Sequence, residues 1–437
     1  MNQNESNNAV LVLFADRLNC AEAEPLFLER IGTLPPALRT MLSAARAGVT
    51  RFAAAVRPAW NQQVKKALEN TGRMPPGVEW LDLPAGEASF GVLLSQIVEW
   101  SPDRLVLAQA DRVFHPSLVE RAVEETGTEF VVFTNGNQPV GLYALPGKLL
   151  LDVIDSVPRE IRTLEELCHW LASARRVRFE TVEGQLWHAI ERPQDLPQAE
   201  QKLNRWLYKK TDGIFARLNR RISIPISRQL IKIPITPNMV TIATLGISAV
   251  SGVFFALGGY VHMLIGAVFS WAASVLDGCD GEVARLTHQE SDFGCWLETV
   301  CDYAYYLFVF TGMTIGLWRT HGSVAYPALG ALLLFGAAIS FLATGLQRHR
   351  LAGNRPENYL TVWQEQAGRQ RDLLLWIGRH VEFVIRRSFL PYALLFFAVC
   401  GLTSAAFIMC AFGANLVWLM TLRSNRFLPA RRSPGDA

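Results

Sequence analysis

Apolar positions along this chain follow two regimes. From residue 1 to about 235, short apolar runs alternate with charged, helix-like stretches, and Ala9 to Phe14, Phe52 to Val56, Leu105 to Ala108, Phe130 to Phe133 and Arg176 to Glu180 are spaced as strands. Such alternation predicts an α/β sheet domain. From 239 to 422 the apolar blocks lengthen and lose their charges, and uninterrupted runs of this width predict membrane helices. The pattern predicts six spans, near 239–260, 261–277, 292–318, 324–346, 389–401 and 403–422, of which the fifth is the shortest. The fold class is therefore two-domain. It has an α/β domain over 1–197, an amphipathic juxtamembrane linker over 198–235, and an all-α membrane domain of six transmembrane helices over 236–437.

In the linker, Trp206, Leu207, Ile214, Phe215 and Leu218 stand against Arg205, Lys209, Lys210, Arg217, Arg220 and Arg221. A helix of that character lies on a membrane surface; the other reading is a solvated interdomain helix. Pro225, Pro234 and Pro237 are expected to interrupt helical continuity before the first span. Even-numbered crossings put both ends on one side. The loop after the second span carries Arg285. The loop after the fourth carries Arg348, Arg350, Arg355, Arg369, Arg371, Arg379, Arg386 and Arg387, and the tail carries Arg423, Arg426, Arg431 and Arg432, while the opposite loops are nearly uncharged. The positive-inside rule places these loops, and so both termini, in the cytoplasm.

Composition narrows the field. At 437 residues the chain exceeds one ordinary soluble core. A net charge of +3, with no long basic tract and no zinc-type Cys/His spacing, argues against nucleic acid as a partner. Met1 to Asn8 is polar and lacks a signal-peptide layout, so the first half is expected in the cytosol. Seven cysteines, two isolated (Cys20, Cys168) and five in apolar segments (Cys279, Cys295, Cys301, Cys400, Cys410), predict free thiols.

The chemistry concentrates in Asp277-Gly-Cys-Asp280-Gly281-Glu-Val-Ala284-Arg285, followed by Gly294, Glu298 and Asp302. An ionised side chain at mid-bilayer costs roughly 2.5–3.5 kcal/mol on insertion scales, so acids kept in such an apolar region need an electrostatic partner. Asp277 and Asp280 share one side of a helix, which Ala284 continues, and Gly294, Glu298 and Asp302 are spaced by four on the next. Two faces with two acids each form a four-carboxylate box suited to one or two divalent cations. Oxygen-only ligands favour Mg²⁺, with Mn²⁺ or Ca²⁺ as substitutes. The bland alternative, acids that cap helices or pair with Arg285, leaves most of the charge uncompensated. Hard ions held by carboxylates point to phosphate chemistry. Gly281 and Gly294 leave room for a phosphate or a neighbouring helix.

The pattern D-x2-D-G-x2-A-R-x8-G-x3-D-x3-D resembles the signature of the CDP-alcohol phosphotransferases, six-helix membrane enzymes commonly found as homodimers. The chain matches it at Asp277, Asp280, Gly281, Ala284, Arg285, Gly294 and Asp302, with Glu298 in place of the third aspartate. The resemblance implies that Asp277, Asp280 and Glu298 bind metal, that Asp302 is the base and a further ligand, and that Asp277, Gly281, Ala284 and Arg285, with Gly294, form the CDP-binding part. It also implies a CDP-linked alcohol or lipid donor, an alcohol or phospho-polyol acceptor, and CMP as the leaving product. Ile235-Thr-Pro-Asn-Met-Val-Thr241 resembles the P-N-x-x-T entry to the family's first helix; the plain alternative is a helix start capped by Thr236.

The first half resembles sugar-phosphate nucleotidyltransferase domains, and the two-part layout is similar to fused enzymes that make CDP-inositol and condense it with inositol phosphate. The supporting stretches are Glu24 to Arg39, Ala47-Gly-Val, Asp111 after an apolar run, and Trp187 to Leu196. Asp111 stands where that family carries a metal-binding aspartate. Phe14-Ala-Asp-Arg-Leu-Asn-Cys, however, has none of the glycines that let backbone amides cradle a triphosphate. Glu24 replaces a lysine, and Ala189 and Glu191 take the places of two aspartates. The first domain is therefore expected to be a structural, regulatory or partner-binding relic. Alternatives for the whole chain are an inactive membrane-anchored sensor, a bifunctional enzyme whose first domain still makes the CDP-alcohol, and a transporter coupling ions through its intramembrane acids.

Overall fold

A computed structural model describes residues 8–16, 25–83, 90–161, 163–174, 177–209, 212–352 and 388–424. It divides into two compact units, Met1–Leu207 with Leu286–His288, and Tyr208–Arg285 with Gln289–Ala437.

The first unit is the expected α/β domain. Its strands are β1 (Ala9–Ala15), β2 (Arg51–Val56), β3 (Val78–Asp82), β4 (Arg104–Gln109), β5 (Arg112–Phe114), β6 (Phe130–Asn135), β7 (Gln138–Pro146), β8 (Val177–Thr181) and β9 (Trp187–Ala189). Seven of them form one sheet in the order β3-β2-β1-β4-β7-β6-β8, and β5 pairs with β9 in a second. β1 is parallel to β2 and β4, whereas β7 runs antiparallel to both β4 and β6. Being central, β1 is buried along its whole length, which explains its uninterrupted apolar run. The helices α1 (Pro36–Arg46), α2 (Pro58–Glu69), α3 (Phe90–Val98), α4 (Pro116–Glu124), α5 (Gly147–Val153), α6 (Leu164–Ala174) and α7 (Leu196–Trp206) complete the unit. Alternate residues of the central strands feed two cores. Leu11, Leu13 and Val106 pack on the α1 and α4 side, and Val10, Val12 and Leu107 on the α3 and α6 side.

The segment read as one amphipathic linker belongs to two different helices. α7 is part of the first unit: Trp206 Nε1 donates to the Gln185 carbonyl at 2.6 Å, its ring meets His115 edge-on, and Leu203 and Leu207 are buried. The first unit therefore runs on to Leu207 rather than ending at 197. The second unit opens with α8 (Ile214–Leu230), which continues through Pro225 instead of breaking there. Proline removes one helical hydrogen bond, but side chains on both sides of it, Ser223 and Ser227, are anchored to the next helix but one.

Among the described residues the remaining helices are α9 (Pro237–Leu257), α10 (Tyr260–Thr287), α11 (Asp292–His321), α12 (Ala325–Ala352), α13 (Leu390–Val399) and α14 (Thr403–Ser424). Among the described residues five helices are long and apolar enough to cross a membrane: Pro237–Leu257, Tyr260–Thr287, Asp292–His321, Ala325–Leu346 and Thr403–Arg423. The expected sixth, α13, has ten described residues, about 15 Å at 1.5 Å per residue, half of a hydrocarbon core. The first boundary also shifts, because Gly258 and Gly259, both at φ 75°, turn the chain between α9 and α10.

α9 and α11 pack backbone to backbone. A β-carbon on Gly312 would lie 2.2 Å from the Gly252 carbonyl oxygen, and one on Gly316 1.9 Å from that of Phe255. The four buried cysteines, Cys168, Cys279, Cys301 and Cys410, and the exposed Cys295 and Cys400, are free thiols as expected. Cys20, the glycine-free stretch after Asp16, Glu24, and the arginines at 355–387, 426, 431 and 432 lie outside the described residues.

Candidate active site

Asp277, Asp280, Gly281, Ala284 and Arg285 all fall in the last turns of α10, and Gly294, Glu298 and Asp302 in the first turns of α11, so the motif occupies two consecutive helices in one unit. Asp280 is anchored through both of its carboxylate oxygens. It is 5% exposed, accepts a 2.7 Å hydrogen bond from Thr241 Oγ1 on Oδ2, and accepts the Gly281 amide on Oδ1 at 2.6 Å. The charges of Asp277 and Glu298 both act on it, so these three acids from the two helices share one electrostatic neighbourhood. Asp277 and Asp302 are half-buried and Glu298 is exposed. Among the described residues no three His, Cys, Asp or Glu side chains close on a single point.

The entry to α9 joins this neighbourhood. Thr236 caps the helix, its hydroxyl accepting the Met239 amide at 3.3 Å, and Thr241, one turn in, reaches Asp280. The Ile235–Thr241 segment is thus a helix start capped by Thr236, with Thr241 bonded to the acidic motif. α11 begins on Ser291, whose hydroxyl accepts the Gly294 amide at 3.0 Å. A β-carbon on Gly294 would sit 3.4 Å from Asn238 Oδ1, so the starts of α9 and α11 come together at that glycine. Helix N-termini present unpaired N–H groups and partial positive charge, the usual environment of a bound phosphate. On α10 a β-carbon at Gly281 would lie 3.2 Å from Arg285 Nη1, so the missing side chain leaves the guanidinium its position over that turn.

A divalent cation can be tested against these groups by their chemistry. The donors at Asp280 are carboxylate and hydroxyl oxygens, the set that suits a hard ion such as Mg²⁺, while the neighbouring Cys279 turns its thiol to the Ser223 carbonyl. The residues fit the group.

Sequence reasoning missed Glu282. It is fully buried, with Oε1 accepting from Arg220 Nη1 at 2.6 Å and Ser223 Oγ at 2.5 Å, and Oε2 from Ser227 Oγ at 2.7 Å. Arg220 also lies 3.5 Å from Asp212. Burial opposes the Arg220 charge, but the Glu282 carboxylate, with Asp212 behind it, outweighs that cost and raises its pKa above the ordinary arginine value. The available signal was a polar i, i+4 stripe in α8, namely Asn219, Ser223 and Ser227, on a helix whose apolar residues drew attention instead.

In the first unit, Asp111 follows β4 as expected and is 5% exposed. Arg112 stands beside it, with Nε 3.5 Å from Asp111 Oδ1 and Nη2 3.4 Å from Glu191 Oε1. Arg112 also donates to Gln109 Oε1 at 3.1 Å and lies over the Trp187 ring, 5.7 Å from its centroid. A guanidinium thus occupies the gap between the two acids.

Residues 234–363 match the family model described as CDP-alcohol phosphatidyltransferase. The C-terminal half carries a CDP-alcohol phosphatidyltransferase domain. Two curated relatives bear the name bifunctional IPC transferase and DIPP synthase. One, from Aquifex aeolicus, is 27% identical over 58% of this chain and 53% of its own length. The other, from Rubrobacter xylanophilus, is 26% identical over 74% of this chain and 80% of its own. The chain thus spans about half the length of the Aquifex relative. Among solved structures, the inositol-1-phosphate CTP transferase from T. maritima is matched with a TM-score of 0.37 at 14% identity, over 48% of this chain and 98% of that one.

Proposed function

We propose that this chain is an integral membrane phosphotransferase that moves a phosphoalcohol or phosphatidyl group from a CDP-linked donor to an acceptor hydroxyl, releasing CMP. The observation that carries this reading is the buried Asp280, held by Thr241 of α9 inside the segment that matches the family, with Asp277 on the same helix and Glu298 at the start of the next. The donor's diphosphate rests against the starts of α9 and α11, and Arg285 faces its nucleotide end. Asp277, Asp280 and Glu298, with Asp302 completing the set, are the residues that would hold Mg²⁺, with Mn²⁺ as a substitute. A bound divalent ion would neutralise the diphosphate and favour CMP as a leaving group. Asp302 takes the proton of the acceptor hydroxyl. The acceptor oxygen then bonds to the phosphorus that carries the alcohol, the bond from that phosphorus to the bridging oxygen breaks, and CMP departs with that oxygen. The two-part layout favours a phosphorylated polyol such as inositol phosphate as acceptor.

The test is CMP release by purified protein in lipid nanodiscs, with CDP-diacylglycerol and CDP-linked head groups as donors and inositol phosphate or a plain polyol as acceptor. We expect release with at least one donor in Mg²⁺ and its loss on chelation. Absence of CMP with every donor in Mg²⁺ and Mn²⁺ overturns the reading and favours a membrane-anchored sensor.

The first domain, in this reading, makes no CDP-alcohol. Support comes from Arg112, which already supplies a positive charge between Asp111 and Glu191. Full-length protein given CTP, Mg²⁺ and a panel of alcohol phosphates is expected to release no pyrophosphate above a no-enzyme control, and robust release would restore the bifunctional alternative.

A further inference from the structure

We propose that Glu282 is a positioning residue: together with Arg220, Ser223 and Ser227 it fixes the acid-bearing turn of α10 from the side opposite the metal-binding acids. The proposal rests on the function proposed above.

At about 100° per residue, Glu282 lies roughly 200° around α10 from Asp280, so the two carboxylates leave the helix on opposite sides. Their surroundings differ accordingly. Asp280 turns to Thr241 of α9, whereas Glu282 turns to three donors on α8. Arg220 Nη1 also lies 3.3 Å from the carbonyl oxygen of Gly278, and a β-carbon at 278 would approach the same nitrogen to 3.3 Å. Gly278 sits between Asp277 and Asp280, so the contact falls on the backbone of the turn that carries both acids. One helical turn is thus held from the front by a hydroxyl and from behind by a charged hydrogen-bond cluster.

Packing alone does not account for this arrangement. A buried ion pair can often be replaced by apolar side chains of similar volume with no loss of stability, yet Glu282 is wholly enclosed and its oxygens are met by two hydroxyls and a guanidinium. Such a cluster supplies direction: charge-assisted bonds of short length tolerate little sliding or rotation of α8 against α10. The rest of α8 is tied to the same surroundings. Asn219 Nδ2 donates to the Ser274 carbonyl at 3.2 Å and its Oδ1 accepts from Tyr392 at 2.7 Å, while the Phe215 ring packs on Phe389 and Tyr392. Its outward residues Ile214, Leu218 and Ile222 are apolar and exposed. The helix therefore buries its polar stripe, with Ile224 beside it, and exposes a mixed face in which Arg217 and Arg221 stand among those apolar residues. Three of its four buried residues, Asn219, Ser223 and Ser227, make polar contacts with α10.

The test compares wild type, Glu282→Gln, Glu282→Asp, Arg220→Gln and the double variant Glu282→Gln/Arg220→Gln, each as the full chain in nanodiscs. Three quantities are read: the kcat and donor KM of CMP release, Mn²⁺ affinity by electron paramagnetic resonance without donor, and amide exchange across residues 277–285. Glu282→Gln is expected to lower kcat at least tenfold with donor KM changed less than threefold, to weaken Mn²⁺ at least fivefold, and to speed exchange in that stretch. Glu282→Asp should recover part of each, and the double variant should be no worse than the poorer single one, since the pair acts as a unit. Folded Glu282→Gln protein with kcat and Mn²⁺ affinity within twofold of wild type overturns the proposal, as do single effects that multiply in the double variant. If the glutamine variant does not fold, Arg220→Met/Glu282→Met is read in its place, and wild-type Mn²⁺ affinity there overturns the proposal equally. A wild-type protein without CMP release would sink the proposed reaction, while the exchange and Mn²⁺ comparisons would still judge Glu282.

Discussion

Asp302→Asn is expected to cut CMP release by about 10² to 10⁴-fold, the usual contribution of a positioned general base. At 1.36 kcal/mol per decade that is roughly 3–5 kcal/mol of barrier. Asparagine keeps the shape of the side chain but cannot accept the acceptor's proton. Asp302 is half-buried on α11, one turn beyond Glu298 and next to the buried Cys301, so the substitution should leave the helix packing intact. Donor binding in the proposed mechanism relies chiefly on the starts of α9 and α11, on Arg285 and on the ion that Asp277, Asp280 and Glu298 would hold, to which asparagine at 302 can still offer its amide oxygen. The loss should therefore appear in kcat with KM little changed, as for an interaction made only in the transition state. Equal kcat for the variant and wild type would remove Asp302 from the role of base.

The acidic motif was legible because its information is local. Two acids three apart and two acids four apart must share faces once the segments are helical, and α10 and α11 are helical throughout those residues. The support was less legible because it is non-local. Thr241 lies 39 residues before Asp280, and Ser223 lies 59 before Glu282, and no periodicity connects positions at such separations. Glu282 also looked ordinary beside two motif aspartates, and only its zero exposure marks it out.

In the first domain, four of the strands read from the sequence, β1, β2, β4 and β6, are buried apolar runs, and the fifth, β8, is a half-exposed edge strand. β7 escaped notice because Gln138-Pro-Val-Gly-Leu-Tyr-Ala-Leu-Pro146 carries glycine and proline, which ordinarily argue against a strand with neighbours on both sides. It is accommodated because Pro139 lies near its start and Pro146 at its end. β3 is an edge strand with only Leu81 buried, so its apolar signal is weak. The error at residue 198 has a related cause. Trp206 and Leu207 have the composition of a membrane-facing helix, but an aromatic ring with an N–H suits any partly apolar surface that offers an acceptor, here the Gln185 carbonyl.

The second large effect is expected from Gly312→Leu, which should destabilise the membrane unit by about 3 kcal/mol, the upper part of the overpacking range. The neighbours that a side chain at 312 would meet are the carbonyl oxygen, carbonyl carbon and α-carbon of Gly252, at 2.2, 2.9 and 3.1 Å from the first added carbon. All three are backbone, so no rotamer change can relieve the clash and α9 must move away from α11. Gly316 and Phe255, one turn further along, are in the same tight contact and would be pulled apart as well. Displacement of α9 would also reach the site, since that helix carries Asn238 beside Gly294 and Thr241 on Asp280; catalysis should fall together with stability. Gly246→Leu provides the control. It lies on the same helix, and an added β-carbon there meets no atom within 4 Å, so the protein should keep its thermal unfolding midpoint and its CMP release. Matching midpoints for the two leucine variants would mean that α9 and α11 do not depend on backbone contact, and that Thr241 reaches Asp280 for some other reason.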